Sequence, residues 1–367
     1  MNATSHANTN PAMSDLLRAH FDGKRFSTPG APPIATLGML LRWQFFSKRK
    51  KSPWPRHVPL PPAPPPGTPE HALSLTWINH STFLLRTPAG NLLTDPVFSR
   101  RISPAPRFLG PHRIHPPAIP LHALPPISAI LLSHDHYDHC DLPTLRHLAR
   151  HHAPLGITAP GNALLLQRAG FTRTLELDWW RQTTLLPGFT LTATPAQHWS
   201  NRLTGRRCAR LWAGFYLSHA GHRLYFCGDT GYHPRIFHQI REHLGPPHTA
   251  LLPIGAYEPH WFMRAQHCNP AEAVQIHRDL NARQSIAMHW GCFPLADEAH
   301  DAPPRALAAA LHAAGLPRES FLTLTPGHPH PLTTPAWHPH NCKTDTPAPP
   351  PPHTTPSTTP PPPPSPA

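Results

Sequence analysis

One short stretch, residues 133–141, carries most of the candidate metal-binding chemistry. It reads Ser-His-Asp-His-Tyr-Asp-His-Cys-Asp, so His134 and His136 are two apart while Asp138 and His139 are adjacent. The apolar run 129–132 before it is typical of a buried strand that holds a loop rigidly. Two ligand pairs facing two points predict two metal ions. In a chain with 32 histidines a polar surface loop is the alternative, but the order of strand, ligand pattern and helix start favours the metal site.

Three further ligand-type residues each follow a predicted strand. His198 follows residues 189–194, Asp229 follows residues 223–227, and His289 follows residues 285–288. With the loop they make seven nitrogen and oxygen donors without a thiolate: His134, His136, Asp138, His139, His198, Asp229 and His289. Zinc is the expected metal, and the sequence leaves iron and manganese open because both also bind mixed histidine and aspartate sites.

The seven donors divide between two zinc ions. Three imidazoles would bind the first ion: His134, His136 and His198. The second ion would be bound by Asp138, His139 and His289, and the Asp229 carboxylate would bridge the two. A water between two cations loses a proton near neutral pH, so the expected nucleophile is a metal-bound hydroxide.

The composition favours a cytosolic protein that attracts anions. The chain has 367 residues, 39% of them hydrophobic, and a formal net charge of +13. That charge suits nucleic acid, an anionic membrane surface or a phosphorylated substrate and does not choose among them. Six cysteines lack a C-x-x-C spacing, and we find no signal peptide and no run of membrane-spanning length. We therefore expect reduced thiols, and we interpret the four near candidate site residues as small buried hydrophobes: Cys140, Cys227, Cys268 and Cys292.

Three segments follow from the composition along the chain. Residues 1–70 are predicted to be an apolar and basic arm with a proline-rich spacer, residues 71–340 a catalytic domain, and residues 341–367 a disordered proline-rich tail. Within the arm, residues 34–51 combine apolar and aromatic side chains with the basic run Lys48 to Lys51. This pattern fits an anchor at a membrane surface and, equally, a helix packed on the catalytic domain with a solvated basic end.

The catalytic segment alternates strand and helix signals. A β-meander is predicted over residues 74–95, followed by a long irregular loop over residues 100–126. Asp141 is expected to cap a helix that runs to about His151, and Asn269 followed by Pro270 to start another. A last helix, at about residues 304–314, and a strand over residues 321–325 close the domain.

These motifs resemble those of the metallo-β-lactamase superfamily, which implies an α/β fold layered as an αββα sandwich with a dinuclear site at one edge. More specifically, six segments resemble the N-acylphosphatidylethanolamine-hydrolysing phospholipase D family and its bacterial relatives: residues 94–99, 133–141, 197–199, 228–232, 255–263 and 289–291. The resemblance covers about residues 20–330. It implies cleavage of a phospholipid phosphodiester by a zinc-bound hydroxide, which releases phosphatidic acid and an N-acylethanolamine.

The resemblance also implies roles for residues around the metals. Asp138, Asp229 and His267 are assigned to catalysis, and Gln266, His267 and Tyr137 to substrate binding. Asp95 is expected to accept a hydrogen bond from a ligand imidazole. Each assignment has a plainer alternative: His267 caps the next helix, Tyr137 packs under the loop, and Asp95 is a turn residue before a proline.

Three hypotheses for function remain. The first is a zinc phosphodiesterase acting on a phospholipid, cytoplasmic and peripheral on the inner face of the membrane. The second is a hydrolase of the same fold for a soluble phosphodiester, a lactone or ester, or nucleic acid. Against nucleic acid, the chain shows no aromatic and basic strand face of the kind that binds single strands. The third, a non-catalytic binding protein, ranks last because the ligand set is intact, and a homodimer is left open.

Overall fold

Two seven-stranded mixed β-sheets face each other in the computed structural model, which describes residues 20–46, 51–64, 73–106, 108–203 and 205–332. The described residues fall within one unit, Met1–Thr333. The predicted tail over residues 341–367 lies outside the described residues, as does most of the basic run that follows the apolar segment.

The first sheet opens with the predicted meander. Its strands are β1 (Ser74–Asn79), β2 (Thr82–Thr87), β3 (Gly90–Thr94), β4 (Ile127–Leu132), β5 (Leu155–Thr158), β6 (Thr174–Glu176) and, at the other edge, β14 (Pro329–Pro331). Their spatial order is β14-β1-β2-β3-β4-β5-β6. Strands β1 to β3 are antiparallel, whereas β3 to β6 run parallel. As a result β1, β3 and β4 point in the same direction.

The second sheet repeats this arrangement of an antiparallel part beside a parallel part. Its strands are β7 (Gln182–Leu186), β8 (Phe189–Thr194), β9 (Gly214–His219), β10 (His222–Phe226), β11 (Thr249–Pro253), β12 (Gln284–Met288) and β13 (Phe321–Leu322). Their order is β13-β12-β11-β10-β9-β8-β7. Strands β7 to β10 are antiparallel and β10 to β13 parallel. Strands β8, β10, β11 and β12 therefore also share one direction.

The described residues include seven α-helices. They are α1 (Leu37–Leu41), which continues into a π-helical turn (Arg42–Phe46), α2 (Leu142–His152), α3 (Ala163–Arg168), α4 (Ile236–Leu244), α5 (His260–Met263), α6 (Pro270–Asp279) and α7 (Ala302–Ala313). Short 3-10 turns lie at Leu121–Ala123 and Arg318–Ser320. As predicted, Asn269 caps α6: its side chain accepts from the Glu272 backbone, and the Glu272 side chain accepts from the Asn269 backbone, which satisfies two helix-end donors.

The layered αββα architecture is confirmed by where the apolar side chains lie. Trp77, Phe83 and Phe215 are buried in the core that the inner faces of the two sheets share. A second core under α2 and α3 covers the outer face of the first sheet, with Leu145 and Leu166 in it. Helices α4, α6 and α7 contribute buried side chains to the larger core. Burial of this kind stabilises a domain by about 25 cal/mol for each Å² of apolar surface removed from water.

The amino-terminal segment makes specific contacts with the sandwich. The Trp43 indole donates to Asp297 at 2.7 Å, and the Trp54 indole donates to the Glu298 carbonyl at 2.8 Å. The Phe26 backbone N–H donates to the Cys208 carbonyl at 2.7 Å. The described parts of residues 20–64 therefore include side chains that belong to the packing of the catalytic unit. The predicted domain boundaries stay predictions.

Two local predictions differ from the structure. The strand predicted over residues 321–325 is limited to Phe321–Leu322, because the chain then crosses to the first sheet, where Gly327 donates to the Trp77 carbonyl and β14 pairs with β1. Asp141 does occupy the cap position of α2, but its carboxylate makes no capping bond to the helix. It accepts instead from the Ser99 backbone and hydroxyl, which ties the loop after β3 to the helix start.

Candidate dinuclear metal site

The predicted ligands meet at one edge of the sandwich because of strand direction. The carboxyl ends of β1, β3 and β4 lie at one edge of their sheet, and those of β8, β10 and β12 at one edge of the other. Backbone hydrogen bonds link the two sheets there, from Ala213 N to Ser133 O at 3.0 Å and from His289 N to His80 O at 3.1 Å. The side chains that follow these strands therefore face one another across the sandwich edge.

The first predicted donor set forms a tight group of three imidazoles. His136 Nδ1 lies 2.9 Å from His134 Nε2 and 3.1 Å from His198 Nε2. On their outer sides, His134 Nδ1 contacts the Ser133 hydroxyl and His198 Nδ1 contacts the Gln266 carbonyl, both at 2.8 Å. A carbonyl only accepts, so His198 carries its proton on Nδ1 and turns a lone pair inward. Lone pairs converging in this way fit a bound cation.

The second predicted donor set combines carboxylate and imidazole. Asp138 Oδ2 lies 3.3 Å from His289 Nε2 and 3.5 Å from His139 Nε2. Asp229 Oδ2 lies 3.1 Å from each of these same two nitrogens. The same oxygen is 3.9 Å from His134 Nε2 and 3.8 Å from the corresponding nitrogen of His198. One carboxylate oxygen thus borders both groups, which is the position expected of a bridging ligand.

Several donor atoms of the site lack a hydrogen-bond partner in the part of the chain that the structure describes, which is consistent with two bound cations. Asp229 Oδ1 is buried and makes no hydrogen bond within the described residues. The outer N–H of His139 donates to Asp95 at 2.6 Å, in agreement with the contact predicted for Asp95, and the neutral ring then keeps a lone pair on the nitrogen that faces Asp229. A lone pair against a carboxylate is repulsive unless positive charge lies between them. The ligand assignments themselves stay predictions.

The electrostatics of the site also favour bound positive charge. Burial alone would raise the pKa of Asp138 and Asp229, but His139 and His289 outweigh it and hold both carboxyl pKa values well below the usual range. Burial lowers the imidazole pKa values, yet Asp229 raises that of His289 to about 9 and, with Asp138, that of His139 well above normal. The two buried carboxylates therefore stabilise positive charge at the imidazole nitrogens that face them, whether a proton or a metal ion carries it.

The three predicted substrate residues have different surroundings. His267 lies beside the bridging position, with Nδ1 3.8 Å from Asp229 Oδ2, and burial lowers its pKa to about 4. Gln266 is buried, and its backbone carbonyl holds His198, while its side-chain amide reaches the Met263 sulfur. The Tyr137 hydroxyl accepts from the Leu203 N–H. His267 is thus the one of the three predicted residues whose side chain borders the donors.

One histidine at the site escaped the sequence analysis. His80 follows β1, is buried, and places Nε2 3.1 Å from Asp138 Oδ2. The signal that could have revealed it was the one used for the other donors, a histidine directly after a strand. Four cysteines are buried as predicted, Cys140, Cys227, Cys268 and Cys292, and burial raises the pKa of the Cys140 thiol to about 12.

A cavity of about 560 Å³ opens onto the donor groups. Its floor includes His136, Asp138, Asp229 and His267. Its walls are mostly apolar and come from the amino-terminal segment, from α5 and from nearby loops: Ala35, Leu40, Trp43, Ile102, Pro111, Phe262, Met263 and Leu295. The cavity therefore joins a charged floor to apolar walls.

Comparison with known proteins identifies the superfamily. A family profile described as a β-lactamase superfamily domain matches residues 90–290. The chain belongs to the metallo-β-lactamase superfamily of metal-dependent hydrolases. The archaeal metallo hydrolase Igni18 of Ignicoccus hospitalis shares the fold, with a TM-score of 0.54, 21% identity, and coverage of 70% of this chain and 97% of that one. The predictions of fold, family and hydrolase class are confirmed at this level.

Sequence relatives are more specific. The N-acyl-phosphatidylethanolamine-hydrolyzing phospholipase D 1 of Caenorhabditis elegans is 36% identical over 245 residues, which cover 64% of this chain and 68% of the relative. An uncharacterized protein of Mycobacterium tuberculosis is 41% identical over 246 residues, 65% of this chain and 64% of the relative. The chain thus spans about two thirds of the length of these curated relatives. Within the described residues, every helix is too short or too polar to cross a bilayer.

Proposed function

We propose that the protein is a zinc-dependent phosphodiesterase that hydrolyses a phospholipid such as N-acylphosphatidylethanolamine to phosphatidic acid and an N-acylethanolamine. The observation that carries the proposal is the cavity, whose apolar walls lead to a floor of metal-type donors. A phospholipid has the matching polarity, since its acyl chains are apolar and its phosphodiester is anionic. The likeness to the C. elegans phospholipase supports the same substrate class.

The two proposed zinc sites use the two donor sets that were predicted from the sequence. His134, His136 and His198 would hold one ion, Asp138, His139 and His289 the other, and Asp229 both. Two bound zinc ions would lower the pKa of a water between them and polarise the phosphoryl oxygens. The chain supplies the rest: the buried carboxylates fix the charge of the centre, and the apolar walls exclude bulk water from it.

His267 is proposed to hydrogen-bond the substrate beside the bridging carboxylate. Because its pKa is lowered to about 4, it is neutral at pH 7 and can both donate and accept. His267→Ala should lower kcat by about a hundredfold, the low end for a positioned proton-transfer group, while the metal content stays unchanged. Loss of metal in this variant, measured by elemental analysis, would show that His267 acts as a ligand instead.

The amino-terminal segment is proposed to place the cavity mouth at a membrane surface. Trp43 is buried against the sandwich, whereas Leu41 and Phe45 are 44% and 74% exposed. Leu40 is partly exposed and lines the cavity, so the apolar surface continues from the walls to the outside. Exposed apolar side chains of this kind insert at the headgroup boundary, and the net charge of +13 favours anionic lipid.

A substrate panel tests the proposal. The purified metal-loaded protein is assayed on N-acylphosphatidylethanolamine vesicles, a soluble phosphodiester, a lactone and RNA. We expect the lipid to be turned over with the highest kcat/KM. No lipid turnover together with fast turnover of any other substrate would replace the phospholipase assignment with that activity. The Asp229→Asn variant is the negative control for every substrate. It keeps the shape of the side chain and removes its charge, so we expect no turnover.

A further inference from the structure

His80 is a buried imidazole beside the second donor set that the seven-ligand assignment leaves out. It is 1% exposed, and its Nε2 lies 3.1 Å from Asp138 Oδ2. Its ring centroid is 4.1 Å from that of His289 and 5.5 Å from that of His139. Donor atoms of these four residues all lie within 4.8 Å of one another. His80 therefore belongs spatially to the second set as much as the predicted ligands do.

The backbone around His80 is shaped to hold the ring there. His80 has φ 42° and His289 has φ 61°, both in the left-handed region that side chains other than glycine rarely adopt. The His80 carbonyl accepts from the His289 N–H at 3.1 Å and from the Trp77 indole at 2.9 Å. Unusual backbone conformations of this kind cluster at functional sites, where the surrounding structure over-determines them. Here they turn two imidazoles toward the same carboxylate.

We propose that His80 is a metal donor at the second position, where it joins Asp138, His139 and His289, with the shared Asp229 beside them. The proposal rests on the dinuclear site of the proposed function. Within the described residues His80 Nδ1 makes no hydrogen bond. No partner of Nδ1 therefore determines which ring nitrogen carries the proton, and Nε2, which faces Asp138, can coordinate a metal ion.

The donor count separates the two positions chemically. The first position has three imidazoles with the shared Asp229 carboxylate 3.8–3.9 Å from two of them, and four donors are what tetrahedral zinc takes. With His80 the second position gains one protein donor, and a higher coordination number also accommodates Mn²⁺ or Fe²⁺. The second position can therefore hold the proposed Zn²⁺ or a divalent cation of higher coordination number, whereas the first position is the more selective for Zn²⁺.

The test measures how many imidazoles coordinate the bound metal ions and does not depend on catalytic turnover. Full-length protein is stripped of metal, reloaded with two equivalents of Co²⁺, and examined by X-ray absorption at the cobalt edge. The proposal predicts six imidazoles for the two ions, three at each position, and five in His80→Gln. Glutamine keeps an N–H that can reach Asp138 but lacks the imidazole. His277→Gln is the matched control, since His277 is buried and bonds Ser285 away from the donors.

A second measurement follows affinity at each position. Titration of the metal-free protein with Mn²⁺, followed by electron paramagnetic resonance, should show binding at least tenfold weaker in His80→Gln than in wild type and unchanged in His277→Gln. Zinc binding at the first position should be the same in all three proteins.

The outcomes separate this inference from the function on which it rests. A count of five imidazoles in the wild-type protein overturns the proposal. This result needs no variant, so the proposal stays testable even if His80→Gln fails to fold. An unchanged count in His80→Gln also overturns it, whatever the affinity does, because His80 would then act only as a donor to Asp138. A wild-type protein that binds no cation at all contradicts the dinuclear site itself.

Discussion

Asp229→Asn is expected to empty both metal positions. The Asp229 Oδ2 atom lies within 3.9 Å of four imidazole Nε2 atoms, two from each donor set. Two unit charges about 4 Å apart interact by about 4 kcal/mol at an effective dielectric constant of about 20. Loss of the carboxylate charge should therefore weaken each position by about 4 kcal/mol, a factor of about a thousand in affinity. Asparagine keeps the volume, so the core beneath should remain packed.

Elemental analysis of purified protein measures this effect. We expect two metal ions per chain in the wild type and close to none in Asp229→Asn after dialysis. Asp279→Asn is the matched control, because Asp279 is also a buried aspartate but bonds Tyr232 and Gln275 away from the donors. Two ions per chain in Asp229→Asn would refute the bridging role, and a loss of metal in Asp279→Asn would attribute the effect to general destabilisation.

Three further predictions concern the support of the site and its access. Asp95→Asn should weaken metal binding by about 10- to 100-fold in a chelator competition, because it alters the hydrogen bond that orients His139; unchanged affinity would make Asp95 a turn residue only. Gly255→Ala should lower the free energy of unfolding by about 1–3 kcal/mol in a denaturant titration, since its Cβ would lie 2.1 Å from the His289 carbonyl oxygen, and an unchanged free energy would contradict this close approach. Phe45→Ser should reduce hydrolysis of vesicles and leave a soluble phosphodiester unaffected, and equal losses on both substrates would contradict a membrane role for this 74% exposed ring.

The parts of the fold that could be predicted are those with strong local signals. Residues 189–194 alternate apolar and polar side chains, and the strand is found there as β8. Asn269 followed by Pro270 and Glu272 fixes the start of α6 through its capping bonds. That the candidate donors meet at one edge could be predicted for the same reason, because each proposed donor set begins where a buried strand ends and strand direction then brings the ends together.

The parts that could not be predicted depend on distant partners. Strands β6 and β14 have three residues each, too short for any periodicity, and each is defined by the neighbour with which it pairs. Helices α3 and α4 also went unassigned: α3 has only six residues, whereas α4 carries apolar residues at helical spacing, Ile236, Phe237, Ile240 and Leu244, and could have been recognised. His80 directly follows β1, as the other donors follow their strands, but its link to the second donor set shows only when Asp138, 58 residues later, is placed beside it. The cavity, likewise, is assembled from segments far apart in sequence.

The central claim is that this site cleaves a phospholipid phosphodiester by attack of water at phosphorus. The most direct test is hydrolysis of N-acylphosphatidylethanolamine vesicles in ¹⁸O-labelled water by the metal-loaded protein, with mass spectrometry of the products. The claim predicts one ¹⁸O atom in the phosphate of phosphatidic acid, and no product after the metal is removed by a chelator. Label in a released fatty acid, which reports ester or amide cleavage, or the absence of lipid turnover would contradict it.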